Sequence, residues 1–93
     1  MNKKKLKLTR KRVDQLDHKI FHLIKKRTQI VKYMLSLKKF KKEIIDHKRN
    51  NEILKKIKNK SIRNNIDTNI NGRIWKAIIW SYVDFQKRNF RKK

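Results

Sequence analysis

The chain contains no cysteine and no proline, one glycine, and only 7 acidic residues among its 93. Without cysteine, disulfide bonds and thiolate chemistry are both excluded. No apolar run reaches the roughly 18 residues that a membrane-spanning helix needs, and no apolar stretch follows the basic amino terminus as a signal peptide would require. We therefore expect a cytoplasmic protein that does not enter the membrane.

The scarcity of acidic residues leaves most of the positive charge without an internal partner. The 30 lysines and arginines give a formal charge of +23, and a domain this basic can attract nucleic-acid phosphates. Lysines greatly outnumber arginines and are scattered along every segment, and an AT-rich coding sequence would produce such a composition. We interpret most of the charge as solvated surface and keep a basic helical nucleic-acid-binding protein as an alternative.

The length of the chain suits one domain, which we place at residues 1–93. A chain this short buries only a modest fraction of its surface, so it often needs a partner chain to complete its core. Leucine, isoleucine, valine and phenylalanine are still more frequent than in disordered chains. The composition therefore predicts a folded domain that oligomerises.

A long first helix is predicted from about Thr9, its expected N-cap, to Lys38, with no proline or glycine to interrupt it. Spacings of three and four residues place Arg27 and Lys38 on its apolar face, where a buried cation needs an anionic partner. The two cations lie roughly 16 Å apart along such a helix, which leaves room for a small dicarboxylate. The apolar members of this face are Val13, Leu16, Ile20, Leu23, Ile30 and Met34.

Two shorter helices are predicted after the first, which makes the fold class all-α. The second runs from about Asp46 to Lys60, and the polar segment Ser61–Asp67 connects it to the third, which Asp67 or Thr68 caps and which ends near Phe90. Since neither short helix can cover the long one, we expect a second copy of the chain beside it. The apolar positions are Ile45, Ile53, Leu54 and Ile57 in the second helix, Ile70, Ile74, Ala77, Ile78 and Phe85 on one face of the third, and Trp75, Ile79, Tyr82 and Gln86 on a neighbouring face.

Each predicted helix carries part of one wider pattern. The first contains Arg10, LDHKI ending at Ile20, LIKKR ending at Arg27, and Lys38; the second contains Asp46, Arg49 and the pair Ile53 and Leu54; the third contains RIWKAIIWSYVDFQ, Arg73–Gln86. This pattern, which covers nearly the whole chain, resembles the AroQ-type chorismate mutases, including the mutase domain fused to prephenate dehydratase in bacterial phenylalanine biosynthesis. The resemblance implies three helices in an intertwined homodimer with shared active sites.

The resemblance also implies the function. The protein would rearrange chorismate to prephenate in phenylalanine and tyrosine biosynthesis, without a metal or cofactor. Arg27 and Lys38 would bind the carboxylates of chorismate, and Arg10 would reach the same site from the second subunit. Lys38 and Gln86 would donate hydrogen bonds to the ether oxygen of the breaking bond.

The remaining implied site residues lie in the second and third helices. Asp46 and Arg49 would shape the pocket wall and its charge. Asn50 stands where the family usually has a glutamate that accepts a hydrogen bond from the substrate hydroxyl, and its carbonyl can accept more weakly. Tyr82 stands where a serine is expected, with Ser81 one residue earlier.

The chemistry implied by the resemblance is an intramolecular rearrangement, so it needs no nucleophile and no general base. The protein would hold the substrate in its bent conformer and place positive donors where negative charge develops. Isochorismate pyruvate lyase, which shares this fold, is the enzymatic alternative. Asp14, His18 and His22 have a spacing that could bind a metal, but we interpret them as a solvated helix face.

Overall fold

The computed structural model describes residues 2–91, which form three α-helices and one turn of 3₁₀ helix without any strand. Helix α1 spans Lys3–Leu37, α2 spans His47–Arg63 and α3 spans Thr68–Asn89, and the 3₁₀ turn is Lys41–Glu43. The predicted all-α class with one long and two shorter helices is confirmed. None of the helices in residues 2–91 has the length and apolarity needed to cross a membrane.

Helix α1 begins about two turns earlier than predicted, so the assignment of Thr9 as its N-cap is wrong. The Asn2 side chain accepts a hydrogen bond from the Lys5 N–H at 3.0 Å, and the Asn2 carbonyl accepts one from the Leu6 N–H at 3.1 Å. The Thr9 hydroxyl instead donates to the Lys5 carbonyl at 2.8 Å inside the helix. Because lysine and leucine are good helix formers, the basic segment extends the helix without an apolar stripe.

The chain divides into two compact units, the first ending at Lys32 and the second beginning at Tyr33. In the first unit, the predicted apolar stripe of α1 is exposed: Val13, Leu16, Ile20 and Leu23 are between 51% and 62% accessible. In proteins, most of the stability of a helix comes from packing of its apolar face. The stripe is therefore an apolar surface that the described residues leave exposed.

In the second unit, α2 begins where the sequence predicts. Asp46 is its N-cap, and the Asp46 carboxylate accepts a hydrogen bond from the Arg49 N–H at 2.9 Å. This bond satisfies one of the backbone donors that the first turn of a helix leaves unpaired. The prediction of a helix start at Asp46 is confirmed to within one residue.

The end of α2 lies three residues beyond the predicted Lys60, because Ser61 is packed against α3. Ser61 is only 2% exposed, and its hydroxyl donates to the Ile57 carbonyl at 2.6 Å and accepts from the Asn71 side chain at 2.9 Å. The connection between α2 and α3 is therefore shorter than Ser61–Asp67. Its turn includes Asn65, whose φ of 54° lies in the left-handed region that asparagine tolerates.

Helix α3 matches its prediction at both ends. Asp67 is the N-cap, with its carboxylate accepting from the Asn69 N–H at 2.7 Å, and the helix ends one residue before Phe90. Of its two predicted faces, the one with Ile79 and Gln86 is the more buried, whereas the one with Ile70 and Ile74 is largely exposed. The buried apolar residues of the second unit are Ile44, Ile79 and Val83.

Candidate active site

A hydrogen bond between Lys38 and Gln86 forms the centre of the candidate site. Lys38 immediately follows the last residue of α1, and its backbone N–H donates to the Leu35 carbonyl at 3.1 Å. Its ammonium Nζ donates to Oε1 of Gln86 at 2.8 Å in a partly buried position. The structure therefore brings together the two residues that the resemblance implied as donors to the ether oxygen of chorismate.

The orientation of the Gln86 amide follows from its neighbours. Gln86 is 8% exposed, and its Nε2 donates to the Tyr82 carbonyl one helical turn earlier, at 3.2 Å. Because an ammonium can only donate, Lys38 selects the oxygen of the amide and directs the nitrogen away from itself. The amide nitrogen carries two N–H groups, so it can donate to a second acceptor while keeping its bond to Tyr82.

Burial lowers the pKa of Lys38 below its ordinary value of 10.5, because desolvation disfavours the charged ammonium. The negative charges of Glu43 and Asp46 oppose this shift and favour the protonated form. Lys38 is thus a partly desolvated cation, and two carboxylates stabilise its charged form.

Glu43 is the residue near this site that the sequence analysis did not identify. Its Oε2 accepts hydrogen bonds from the backbone N–H groups of Lys39 at 2.8 Å and Phe40 at 2.9 Å. The pKa of Glu43 is lowered, first by the hydrogen bond from Phe40 and then by that from Lys39 and by the charges of Lys38 and Lys42. The available signal was a glutamate three residues after Phe40, the spacing at which a side chain reaches back to a helix start.

The predicted residues of α2 occupy different environments. The Asp46 carboxylate is engaged at the helix N-terminus, as described above, and Arg49 is exposed. Asn50 is half-buried, and its Nδ2 is buried without a hydrogen-bond partner among the described residues. A buried donor that remains unpaired costs about 1–3 kcal/mol, so this amide is an unusual feature of the helix.

Tyr82 and Ser81 are the two residues at or beside the position where the family has a serine, and they differ in burial. Tyr82 is half-buried, with its ring packed edge-to-face on Phe85 at a centroid distance of 6.5 Å. Ser81 is exposed. Of the two, Tyr82 lies one turn before Gln86 and contacts its amide through the backbone carbonyl.

Arg10 and Arg27 belong to the first unit of the chain. Arg10 is exposed on α1, and Arg27 is half-buried further along the same helix. In this unit, His18 and His22 pack edge-to-face with ring centroids 4.4 Å apart. Residues 2–91 contain no group of three or more histidine, aspartate or glutamate side chains arranged to hold a metal ion.

A cleft of about 410 Å³ lies between α2 and the first turns of α3. Its lining includes Leu54, Gly72 and the basic residues Lys58, Arg73 and Lys76. None of the residues that the sequence assigned to the active site lines this cleft. We place the candidate site around Lys38 and Gln86, which a partly buried hydrogen bond joins.

The family model of chorismate mutase type II matches residues 9–87. Neither the comparison with curated proteins nor the comparison with solved structures found a match. Since the family match covers most of the chain, the chain belongs to the chorismate mutase type II family. The protein is accordingly an isomerase with chorismate mutase function, and chorismate is the molecule that this family binds.

Proposed function

We propose that the protein converts chorismate to prephenate by electrostatic preorganisation, with Lys38 and Gln86 as the catalytic residues. The observation that carries this proposal is the partly buried hydrogen bond of 2.8 Å between Lys38 Nζ and Gln86 Oε1. It joins a cation to an amide with a fixed orientation. Both groups can donate to an oxygen that becomes negative in the transition state, where preorganised donors have their largest effect.

The two donors supply the electrostatic stabilisation that the rearrangement draws from the protein. As the ether bond breaks, electron density accumulates on its oxygen, and the ammonium of Lys38 and an N–H of Gln86 stabilise that charge. No proton has to be transferred, because the ether carbon–oxygen bond breaks as the new carbon–carbon bond forms in the same molecule, and every atom is retained. Gln86 does not titrate, so this donor remains competent across neutral pH.

A homodimer with shared active sites is the second part of the proposal. The apolar stripe of α1 is more than half exposed over Val13, Leu16, Ile20 and Leu23, and a second copy of the same stripe would cover it. In this arrangement, Arg27 and Lys38 of one subunit bind the substrate carboxylates, and Arg10 of the other subunit completes the site.

The pocket wall is assigned to Asp46, Arg49, Asn50 and Tyr82. Asp46 contributes a negative charge that favours protonated Lys38, and Arg49 lies three residues after it on the same first turn of α2. Asn50 is half-buried on the same helix, and its side-chain carbonyl would accept a hydrogen bond from the substrate hydroxyl. Tyr82 positions Gln86 through its carbonyl.

We further propose that residues 1–93 form one domain of this family that acts in the cytoplasm. Its product, prephenate, would enter phenylalanine and tyrosine biosynthesis. These assignments follow from the family and from the resemblance described above. Chorismate is the substrate with the charge that suits this site, since its two carboxylates complement Arg10, Arg27 and Lys38.

The decisive experiment incubates the purified protein with chorismate and, separately, with isochorismate. Loss of the ultraviolet absorbance of chorismate, with formation of prephenate, is expected. Formation of salicylate from isochorismate without turnover of chorismate would establish the lyase instead. If neither compound reacts, and a nucleic acid binds with the steep salt dependence of phosphate contacts, the protein is a basic nucleic-acid-binding relative.

A further inference from the structure

We propose that Glu43 is a positioning residue for Lys38: its carboxylate fixes the backbone that follows Lys38 and places a negative charge near the ammonium. This inference rests on the proposed role of Lys38 in catalysis. Glu43 lies outside the set of residues that the resemblance to the family identifies. It acts on the reaction only through Lys38.

The position of Lys38 creates the need for such a residue. Helix α1 ends at Leu37, so Lys38 lies beyond the repeating hydrogen bonds that hold the helical backbone. Its N–H still bonds to the Leu35 carbonyl, which fixes the chain on the side before Lys38. The direction of the chain after Lys38 must be fixed by other contacts.

Glu43 supplies those contacts with a single oxygen atom. Oε2 accepts from the N–H of Lys39 at 2.8 Å and from the N–H of Phe40 at 2.9 Å, the two residues directly after Lys38. The Glu43 backbone N–H in turn donates to the Phe40 carbonyl at 3.0 Å. Glu43 is therefore hydrogen-bonded in both directions to the two residues that follow Lys38. Because the acceptor is ionised, these bonds are stronger than those to a neutral acceptor.

The far side of this turn is also anchored. Ile44, the next residue, is 4% exposed and belongs to the apolar core of the second unit. Its N–H donates to the Lys41 carbonyl at 3.1 Å. The burial of Ile44 thus holds the backbone next to Glu43 in place. The hydrogen bonds of Glu43 therefore restrain the positions of Lys39 and Phe40.

The charge of Glu43 acts on Lys38 together with two other groups. Asp46, the N-cap of α2, adds a second negative charge, and Gln86 of α3 contributes a neutral amide. The hydrogen bonds to Glu43 lower the pKa of its carboxyl below the ordinary 4.5, so Glu43 is ionised at neutral pH. Both carboxylates counteract the desolvation that lowers the pKa of Lys38.

Two substitutions separate the hydrogen bonds of Glu43 from its charge. Glu43→Gln keeps an acceptor oxygen but removes the charge, whereas Glu43→Ala removes both. Glu52→Gln is the matched control, because Glu52 is an exposed residue of α2 and its substitution changes the net charge equally. Circular dichroism of each variant verifies that the helices are retained.

The first measurement is the pH profile of kcat/KM with chorismate. We expect Glu43→Ala to lower kcat/KM at neutral pH by about tenfold, mostly in kcat, because a misplaced donor weakens the transition state more than the bound substrate. We expect Glu43→Gln to move the alkaline loss of activity to lower pH. A Glu43→Gln profile that coincides with those of the wild type and Glu52→Gln would overturn the proposal.

The second measurement does not depend on activity. Carbon NMR of the Lys38 side chain in the protein without substrate reports the pKa of its ammonium directly. We expect this pKa to be lower in Glu43→Gln than in the wild type and unchanged in Glu52→Gln, and an unchanged pKa in Glu43→Gln refutes the inference. If the wild type leaves chorismate unreacted, the proposed function fails, while the NMR titration still decides whether Glu43 acts on Lys38.

Discussion

The ammonium of Lys38 donates to the amide oxygen of Gln86 at 2.8 Å, although the two residues are 48 positions apart in the chain. The bond connects the segment just after α1 to the last turns of α3. It also fixes which side of the Gln86 amide faces Lys38, because only the oxygen can accept. The bond thus fixes the relative placement of the two side chains that we propose as catalytic donors.

The first prediction concerns the loss of Lys38. We expect Lys38→Ala to lower kcat/KM by about two to three orders of magnitude, the usual effect of removing one preorganised donor. The loss should be larger in kcat than in the affinity for chorismate. Steady-state kinetics measures both parameters, and circular dichroism shows whether the helices persist.

Lys39→Ala is the matched control for this substitution. Lys39 is exposed, and its contact with Glu43 uses only the backbone N–H. Its substitution should leave kcat/KM within about threefold of the wild type, as for surface changes away from special contacts. Equal losses in the two variants would mean that general charge, and not the position of Lys38, supports the reaction.

The second prediction concerns the charge state at position 86. A glutamate there would be ionised at neutral pH beside the Lys38 ammonium, which favours the charged carboxylate. Since an ionised carboxylate cannot donate, we expect Gln86→Glu to be active only at acidic pH, where the side chain carries a proton. The pH profile of kcat/KM tests this, with the wild type as a reference that lacks an acidic optimum. A wild-type profile that rises sharply towards acidic pH would contradict the assignment of Gln86.

The third prediction is an alkaline loss of activity controlled by Lys38. The protonated form is the active one, so activity is present below the pKa of Lys38 in the folded protein and lost as the pH rises through it. Because burial lowers this pKa below 10.5, the loss should begin at lower pH than for an exposed lysine. Lys38→Arg should be less active than the wild type at neutral pH, because its geometry differs. Its remaining activity should not decline at alkaline pH, since a guanidinium stays charged.

The fourth prediction concerns the apolar stripe of α1. Leu16 is 58% exposed on that stripe, and a second copy of the chain is proposed to cover it. We expect Leu16→Asp to dissociate the dimer, because it would bury an unpaired carboxylate at the interface. Sedimentation velocity measures the change.

Gln15→Asp is the matched control for the dimer prediction. Gln15 precedes Leu16 and lies about 100° around the helix from it, outside the apolar stripe. This variant should remain dimeric and active. A monomeric wild-type protein that turns over chorismate would refute the shared active site.

The fifth prediction follows from the formal charge of +23. Mutual repulsion of the cations opposes folding and association, and salt screens exposed charges beyond a Debye length of about 8 Å at physiological ionic strength. We therefore expect added chloride to raise the melting temperature while it raises the KM for chorismate, whose attraction to the site is screened as well. Thermal melts that fall with chloride would contradict the first part, and a constant KM would contradict the second.

The elements that the sequence predicted well are those with strong local signals. Asp46 and Asp67 each accept a backbone N–H at the start of a helix, and an aspartate before an apolar repeat is a direct signal for that position. Thr9 misled the prediction, since a threonine inside a helix can bond to the preceding turn instead. The end of α2 was missed because Ser61 is held by Asn71 of α3, a partner that helix periodicity does not reveal.

The sequence by itself determined that the chain forms three helices, because helix periodicity and helix capping act over a few residues, and its resemblance to a family singled out Lys38 and Gln86. The tertiary structure decided what those side chains contact. The bond between Lys38 and Gln86 spans 48 residues, and the bond from Asn71 to Ser61 joins α3 to α2. Such contacts arise when packing of α3 and burial of Ile44 fix the chain in space, which no local preference can specify.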